Sequence, residues 1–217
     1  LGQLCEGSLT ATLAYNGGSS RWDADAITAT WRRDGDTILL NGEYRYVVDG
    51  HTAGLLIVAA REEGSSGDTG ISLFLLPPDS AGVSRSWLPT MDQARKQASI
   101  SLTDVSLDAD ALLGDAGQAW PHLAKVIDLA TVALAAEQVG GAQKVLEMAV
   151  DYAKVRVQFG RPIGSFQAIK HKCADMLTMV ESARSTAFYA SALAGQGETD
   201  LEEAAAAAKA FCSDTFF

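Results

Sequence analysis

The run Val155-Arg156-Val157-Gln158-Phe159-Gly160-Arg161-Pro162-Ile163-Gly164-Ser165-Phe166-Gln167 gathers the side chains best suited to chemistry. Arg156 offers a planar fork of donors that fits a phosphate or carboxylate. Phe159 and Phe166 can cover the face of a base, and Gln158 and Gln167 can both donate to and accept from a base or a polyol. Together they suit a dinucleotide: pyrophosphate on the arginine, adenine against the rings. The same residues also suit a plain helical hairpin in which the aromatics are core and Arg156 pairs with a carboxylate. Residue chemistry alone leaves both readings open.

Two long apolar-periodic segments must position this corner. The first carries Leu123, Val126, Ile127, Ala130, Leu134, Val139, Ala142, Leu146, Ala149 and Ala153 on one helical face. It is expected to stop at Gly160, because glycine accepts the left-handed C-terminal position and Pro162 cannot continue a helix. Arg156 then falls in the last turn, where a cation complements the helix end. Ser165 is the expected N-cap of the next helix, although Ala168 leaves it without a capping box. That helix is expected to bury Phe166, Ile169, Cys173, Met176, Leu177, Val180, Ala183 and Ala187 and to end around Gly195-Gln196-Gly197. An alanine-rich third helix runs from Leu201 to Phe217, and the three read as antiparallel neighbours in a bundle.

Upstream the signal is strand. Leu9–Tyr15, Ala26–Arg32, Thr37–Val48, Leu55–Ala60, Ile71–Leu76, Val83–Leu88 and Ala98–Leu107 are short runs rich in β-branched or aromatic residues. Turn residues separate them: Asn16-Gly17-Gly18, Asp34-Gly35, Asp49-Gly50, Gly64 to Gly67 and Pro77-Pro78-Asp79. Strands without helical crossovers predict an antiparallel β-barrel or sandwich over 1–113, followed by an α-helical bundle over 114–217. The fold class is therefore α+β.

Composition excludes several functions. The 217 residues carry a formal net charge of -10, which argues against nucleic acid or an anionic membrane as partner. Three cysteines, Cys5, Cys173 and Cys212, fit no metal or disulfide spacing, so no metal is expected and a reducing, cytoplasmic setting is. Cys173 and the methionines read as core filler, and His171 lacks the partners a metal ligand needs. No stretch is long and apolar enough for a membrane span, and nothing at the start reads as a signal peptide. Leu1 and the terminal pair Phe216-Phe217 suggest a piece of a longer chain.

Arg156-Val157-Gln158-Phe159-Gly160-Arg161-Pro162-Ile163, with Phe166-Gln167, Lys170-His171 and Ala174-Asp175-Met176, closely resembles the signature of the flavin-dependent acyl-CoA dehydrogenase family. Ala135 to Gln143 and Val180 to Arg184 fit it too. The resemblance covers the family's middle β-domain and the first part of its C-terminal helical domain, with the N-terminal helical domain absent. It implies that Arg156, Gln158, Phe159, Phe166 and Gln167 bind the FAD of a neighbouring subunit. It also implies an acyl-CoA substrate, a homo- or hetero-oligomer of tetrameric kind, and electron-transfer flavoprotein as a candidate acceptor.

Departures from the family pattern are as informative. The strand end that usually reads Trp-Ile-Thr-Asn-Gly, its threonine bonded to the flavin edge, is Tyr46-Val47-Val48-Asp49-Gly50 here. Tyr46 is either a platform for the ring or a half-buried strand aromatic; Val48 has no donor. The other strand end, usually Thr-Glu-Pro, is Tyr15 to Asp23. One family position for the proton-abstracting carboxylate aligns with Ala130, which cannot take a proton, and its neighbour is Thr131. Glu137 lies on nearly the same helix face but about 10 Å along the axis and is expected to be a packing or lining residue. No catalytic residue is therefore assigned. The pattern resembles the base-lacking partner of a heteromeric acyl-CoA dehydrogenase, a type associated with bulky substrates such as steroid side chains. The alternatives are an ordinary homotetramer with its glutamate beyond Phe217 and a flavin-free interaction protein on the same fold.

Overall fold

The computed structural model describes residues 1–19, 21–196 and 200–217. They form two compact units, Leu1–Leu123 and Ala124–Phe217. A short helix α1 (Gly2–Cys5) precedes eight strands: β1 (Ala11–Ala14), β2 (Thr30–Asp34), β3 (Thr37–Val48), β4 (Leu55–Glu62), β5 (Ile71–Leu76), β6 (Val83–Leu88), β7 (Gln97–Asp108) and β8 (Leu112–Leu113). They pair in the order β6-β7-β3-β2-β4-β5-β8, with β1 beside β4.

Most neighbours are antiparallel, as the close succession of turns requires. Two are not. One edge of β4 is shared: Leu55 to Val58 pair in parallel with β1, and Arg61 and Glu62 pair in parallel with β2. The chain leaves β1, makes the excursion 15–29 and re-enters in the same direction, so β1 and β2 share one partner edge. Among the described residues no ladder joins β6 to β8, so of the expected barrel or sandwich the closed barrel is not formed, while the α+β order of sheet and helical bundle is as expected.

Alternation along β3 buries Ile38, Leu40 and Tyr44 and changes phase once, before Val47. Its pairing with β7 jumps between Leu40 and Gly42 and again between Tyr44 and Val47. The first jump is an extra residue in β7, and opposite it Gly42 has φ +145 and a Cβ there would lie 2.5 Å from the Ala29 Cα, so β3 admits only glycine at this point. Asn41 braces this bulge by donating to the Asp104 carboxylate at 3.0 Å and accepting from the Asp104 amide at 2.8 Å. The bulges keep Tyr44 and Val47 in the core beside Trp31, Phe74, Leu56, Val58 and Ile100. The buried Tyr44 hydroxyl donates to the Ala59 carbonyl at 3.0 Å, which satisfies it where water is absent.

The second unit contains helices α2 (Trp120–Val155, which begins in the first unit), α3 (Gln167–Gln196) and α4 (Leu201–Phe216). The expected end of α3 at Gly197 lies outside the described residues. Small residues let the helices approach closely: Val132, Ala135 and Val139 of α2 pack with Ala183, Ala187 and Ala190 of α3 and Ala204, Ala205 and Ala208 of α4. Arg184 of α3 donates to the Gln143 side chain of α2 at 2.8 Å, and Cys212 is buried with its thiol toward the Ala183 carbonyl. The buried faces differ from expectation at three positions, since Val126, Ala130 and Leu177 are exposed. Apolar residues on these helices mark two faces, and periodicity does not tell which one this chain covers itself. No helix among the described residues is long and apolar enough to cross a membrane.

Candidate functional site

The corner is a hairpin, not a helix end. Helix α2 stops at Val155, and the Arg156 amide still bonds to the Tyr152 carbonyl at 2.9 Å. Two short strands follow, β9 (Val157–Gln158) and β10 (Arg161–Pro162), with Gln158 opposite Arg161 and Val157 opposite Pro162. The Ile163 amide extends the ladder by donating to the Arg156 carbonyl at 2.8 Å. Phe159 and Gly160 form the two-residue turn at φ 52 and 77, the paired positive values such tight hairpins demand. Gly160 therefore serves the turn rather than the helix terminus. Ser165 does not cap α3: it sits in the 3-10 turn Ile163–Ser165 and its hydroxyl donates back to the Pro162 carbonyl at 2.7 Å.

The turn presents the expected side chains outward. Arg156, Gln158 and Gln167 are exposed, and Phe159 is 92% exposed at the tip. Among the described residues the Arg156 guanidinium has no ion-pair or hydrogen-bond partner, so it is not the structural arginine of a plain helical hairpin. Phe166 is half-buried and meets the edge of Phe159 at 6.1 Å between centroids and 87° between planes. Arg161, which the residue pattern did not single out, lies over the Phe166 ring with its guanidinium carbon 4.1 Å from the centroid. Its signal was the pairing across a two-residue turn with Gln158. A bulky residue such as Phe159 in the left-handed region stores about 1–2 kcal/mol of strain. Strain of that kind at a solvent-facing tip is a pointer to function. Beside the hairpin, Val150, Ala153, Lys154, Gly164, Ile169, Lys170 and Cys173 line a shallow cleft of about 260 Å³.

In the first unit the structure brings the two named strand ends together. The Arg45 amide donates to the Asn16 carbonyl at 2.9 Å, and the Thr12 hydroxyl donates to the Val48 carbonyl at 2.6 Å. Tyr46 occupies the bulge of β3 at φ 61 and is 53% exposed. It is not the half-buried strand aromatic that alternation alone gives, because the bulge turns it out while Val47 takes the core position. The Arg45 guanidinium lies 5.9 Å from its ring centroid. Val48 is exposed and its side chain offers no donor. Trp22 is exposed nearby in sequence to Tyr15, whose ring it meets at 6.5 Å. Burial pushes the Tyr15 phenol up to about 12.

Neither candidate proton acceptor in α2 changes with the structure in hand. Ala130 is exposed, and Glu137 is exposed one helical stretch further on. Asp128 is the carboxylate with a resolved shift here: burial, and then the charge of Glu202, hold it above the ordinary aspartate range. Among the described residues no group of three or more His, Cys, Asp or Glu is placed to hold a metal. His171 is exposed.

A mainly antiparallel sheet followed by a helical bundle whose first hairpin projects an arginine unpaired among the described residues and a phenylalanine defines a class of α+β proteins. The comparisons place the chain within it. Residues 117–217 match the acyl-CoA dehydrogenase C-terminal domain. The short-chain specific acyl-CoA dehydrogenase of Homo sapiens mitochondria is 30% identical over 187 residues, 85% of this chain and 45% of that protein. The solved butyryl-CoA dehydrogenase of Megasphaera elsdenii superposes with a TM-score of 0.89 at 29% identity, covering 98% of this chain and 56% of the other. A solved FAD-dependent dehydrogenase gives 0.90 at 28% identity over 98% and 57%. The chain belongs to the acyl-CoA dehydrogenase family. It spans about half the length of the relatives it matches.

Proposed function

We propose that this chain is a subunit of an FAD-dependent acyl-CoA dehydrogenase that contributes a dinucleotide grip to a neighbouring subunit and lacks a proton-abstracting carboxylate at position 130. The observation that carries the reading is the hairpin itself: Arg156 has no partner among the described residues, and Phe159 projects almost wholly into solvent in a strained backbone. A side chain held out in this way fits a ligand supplied from outside the unit that bears it.

The residues present fit the cofactor. Arg156 would neutralise and orient a diphosphate, Phe159 and Phe166 would cover an adenine, and Gln158 and Gln167 would bond to the base or sugar. FAD, when bound, supplies a two-electron acceptor for the hydride that leaves the β-carbon of an acyl thioester. Removal of the α-proton needs a base within hydrogen-bond reach, and alanine at position 130 cannot be one. Tyr46 offers a ring face on the first unit, whereas Val48 contributes no hydrogen bond where a hydroxyl would hold a polar ring edge. Loss of one such bond costs about 1 kcal/mol. A chain with the grip and without the base and donor suits a divided enzyme, in which a sister subunit provides both.

The test is the flavin-to-chain ratio of the complete protein, purified alone and with its candidate partner. Alone it is expected to be flavin-poor and inactive on acyl-CoA; with the partner it becomes yellow and active. A yellow, active homo-oligomer overturns the division of labour. Absence of bound flavin under both conditions overturns the cofactor grip.

A further inference from the structure

We infer that Arg161 is a second anion-binding residue of the hairpin, held ready by Phe166, so that a diphosphate meets two guanidinium groups rather than one. This rests on the dinucleotide reading above. Residues directly opposite in an antiparallel pair carry their side chains on the same face, which puts Arg161 with Gln158. Arg156 stands at the base of the same hairpin, one residue before β9, where its carbonyl accepts from the Ile163 amide at 2.8 Å. The hairpin thus carries Gln158 and Arg161 on one face and Arg156 at its base.

The stack on Phe166 gives Arg161 its role. A guanidinium whose carbon lies 4.1 Å from a ring centroid is attracted by the ring's π-face, a contact that does not consume the hydrogen-bonding capacity of its N–H edges. Arg161 has no ion-pair or hydrogen-bond partner among the described residues, so those edges are available to phosphate oxygens. Contact with the ring also narrows the rotamers of a long side chain, which lowers the entropy lost when an anion binds. Phe166 therefore does two things: it braces Phe159 through the edge-to-face contact and holds the Arg161 guanidinium beside its ring. In an acidic chain of net charge -10, a local pair of unneutralised arginines is the feature that lets a polyanion approach.

The experiment uses the complete protein in its assembly, stripped of flavin and titrated calorimetrically with ADP and with adenosine, followed by reconstitution with FAD. Arg161→Gln is expected to weaken ADP and FAD by about tenfold or more, the loss of a charge-assisted bond. Adenosine, which has no phosphate, should bind within about twofold of wild type. Phe166→Leu keeps the charge and removes the stack, and should weaken ADP in the same direction but less. Arg161 is exposed, so its variants should fold, and Arg161→Lys, which keeps charge without the planar fork, should fall between wild type and Arg161→Gln. Equal ADP affinity in Arg161→Gln and wild type overturns the inference alone, as does an equal loss of ADP and adenosine binding. A wild-type assembly that takes up neither ADP nor FAD overturns the dinucleotide grip and this inference with it.

Discussion

Replacing Phe159 with glycine separates the two roles an aromatic at this turn could have, because it moves stability and binding differently. Phe159 sits at φ 52 and is 92% exposed, so its ring buries little, and its backbone carries strain of about 1–2 kcal/mol. Glycine removes that strain but adds chain entropy to the unfolded state, a cost of about 0.5–1 kcal/mol. The lost edge contact with Phe166 removes a further 0.5 kcal/mol or so at this exposed site. These contributions nearly cancel. The flavin-free protein should therefore keep its stability within about 1 kcal/mol, a change in Tm under roughly 4 °C. Binding has no such compensation: stacking of an aromatic on a base contributes about 1–3 kcal/mol. FAD affinity should drop by a factor of about 5 to 150. Thermal melts of the stripped protein and titration of FAD into it measure the two quantities on one sample. A Phe159→Gly protein that loses several kcal/mol of stability yet binds FAD normally would refute the reasoning, since the ring would then be structural.

Three further outcomes follow from geometry and burial. Gly42→Ala forces a Cβ to 2.5 Å from the Ala29 backbone at φ +145, and should cost at least about 2 kcal/mol, read as a fall of roughly 4–8 °C in Tm; an unchanged Tm would mean the bulge is not rigid. Tyr15 holds its proton up to about 12 in the folded protein against an ordinary value of 10.0. Its contribution is therefore fully present below pH 10 and is lost as pH rises toward about 12; denaturant melts of Tyr15→Phe should show a shallower decline across that window, and an identical slope would contradict it. Burial and Glu202 raise Asp128, so the native state disfavours its charge; stability should fall as pH rises from the ordinary 3.8, and Asp128→Asn should stabilise the protein at neutral pH but not in acid. Equal destabilisation at both pH values would show that the carboxylate has a structural bond instead.

Strand positions were readable because the turns announce them: Asp34-Gly35 leaves little choice of where the β2–β3 hairpin reverses, Asp49-Gly50 marks where β3 stops, and β3, β5 and β6 run over the residues expected of them. The shared edge of β4 was not, since no local residue choice distinguishes a strand that returns parallel to a neighbour from one that returns antiparallel. The corner illustrates the same limit at closer range. Gly160 and Pro162 signal that a helix cannot pass, and they do not say whether it ends at Gly160 or five residues earlier at Val155. What moves the end upstream is cross-strand pairing between Gln158 and Arg161, a tertiary preference strong enough to hold a phenylalanine at positive φ. Types of residue thus marked the place of the site, while its geometry came from contacts that periodicity cannot carry. For the same reason the two readings of Tyr46 stayed open: alternation assumes a regular strand, and the bulge that turns Tyr46 outward is an extra residue in β3 between Tyr44 and Val47. Tyr46 in the first unit and Phe159 in the second both sit in left-handed backbone, and neither position is one that an L-residue occupies without some compensating gain.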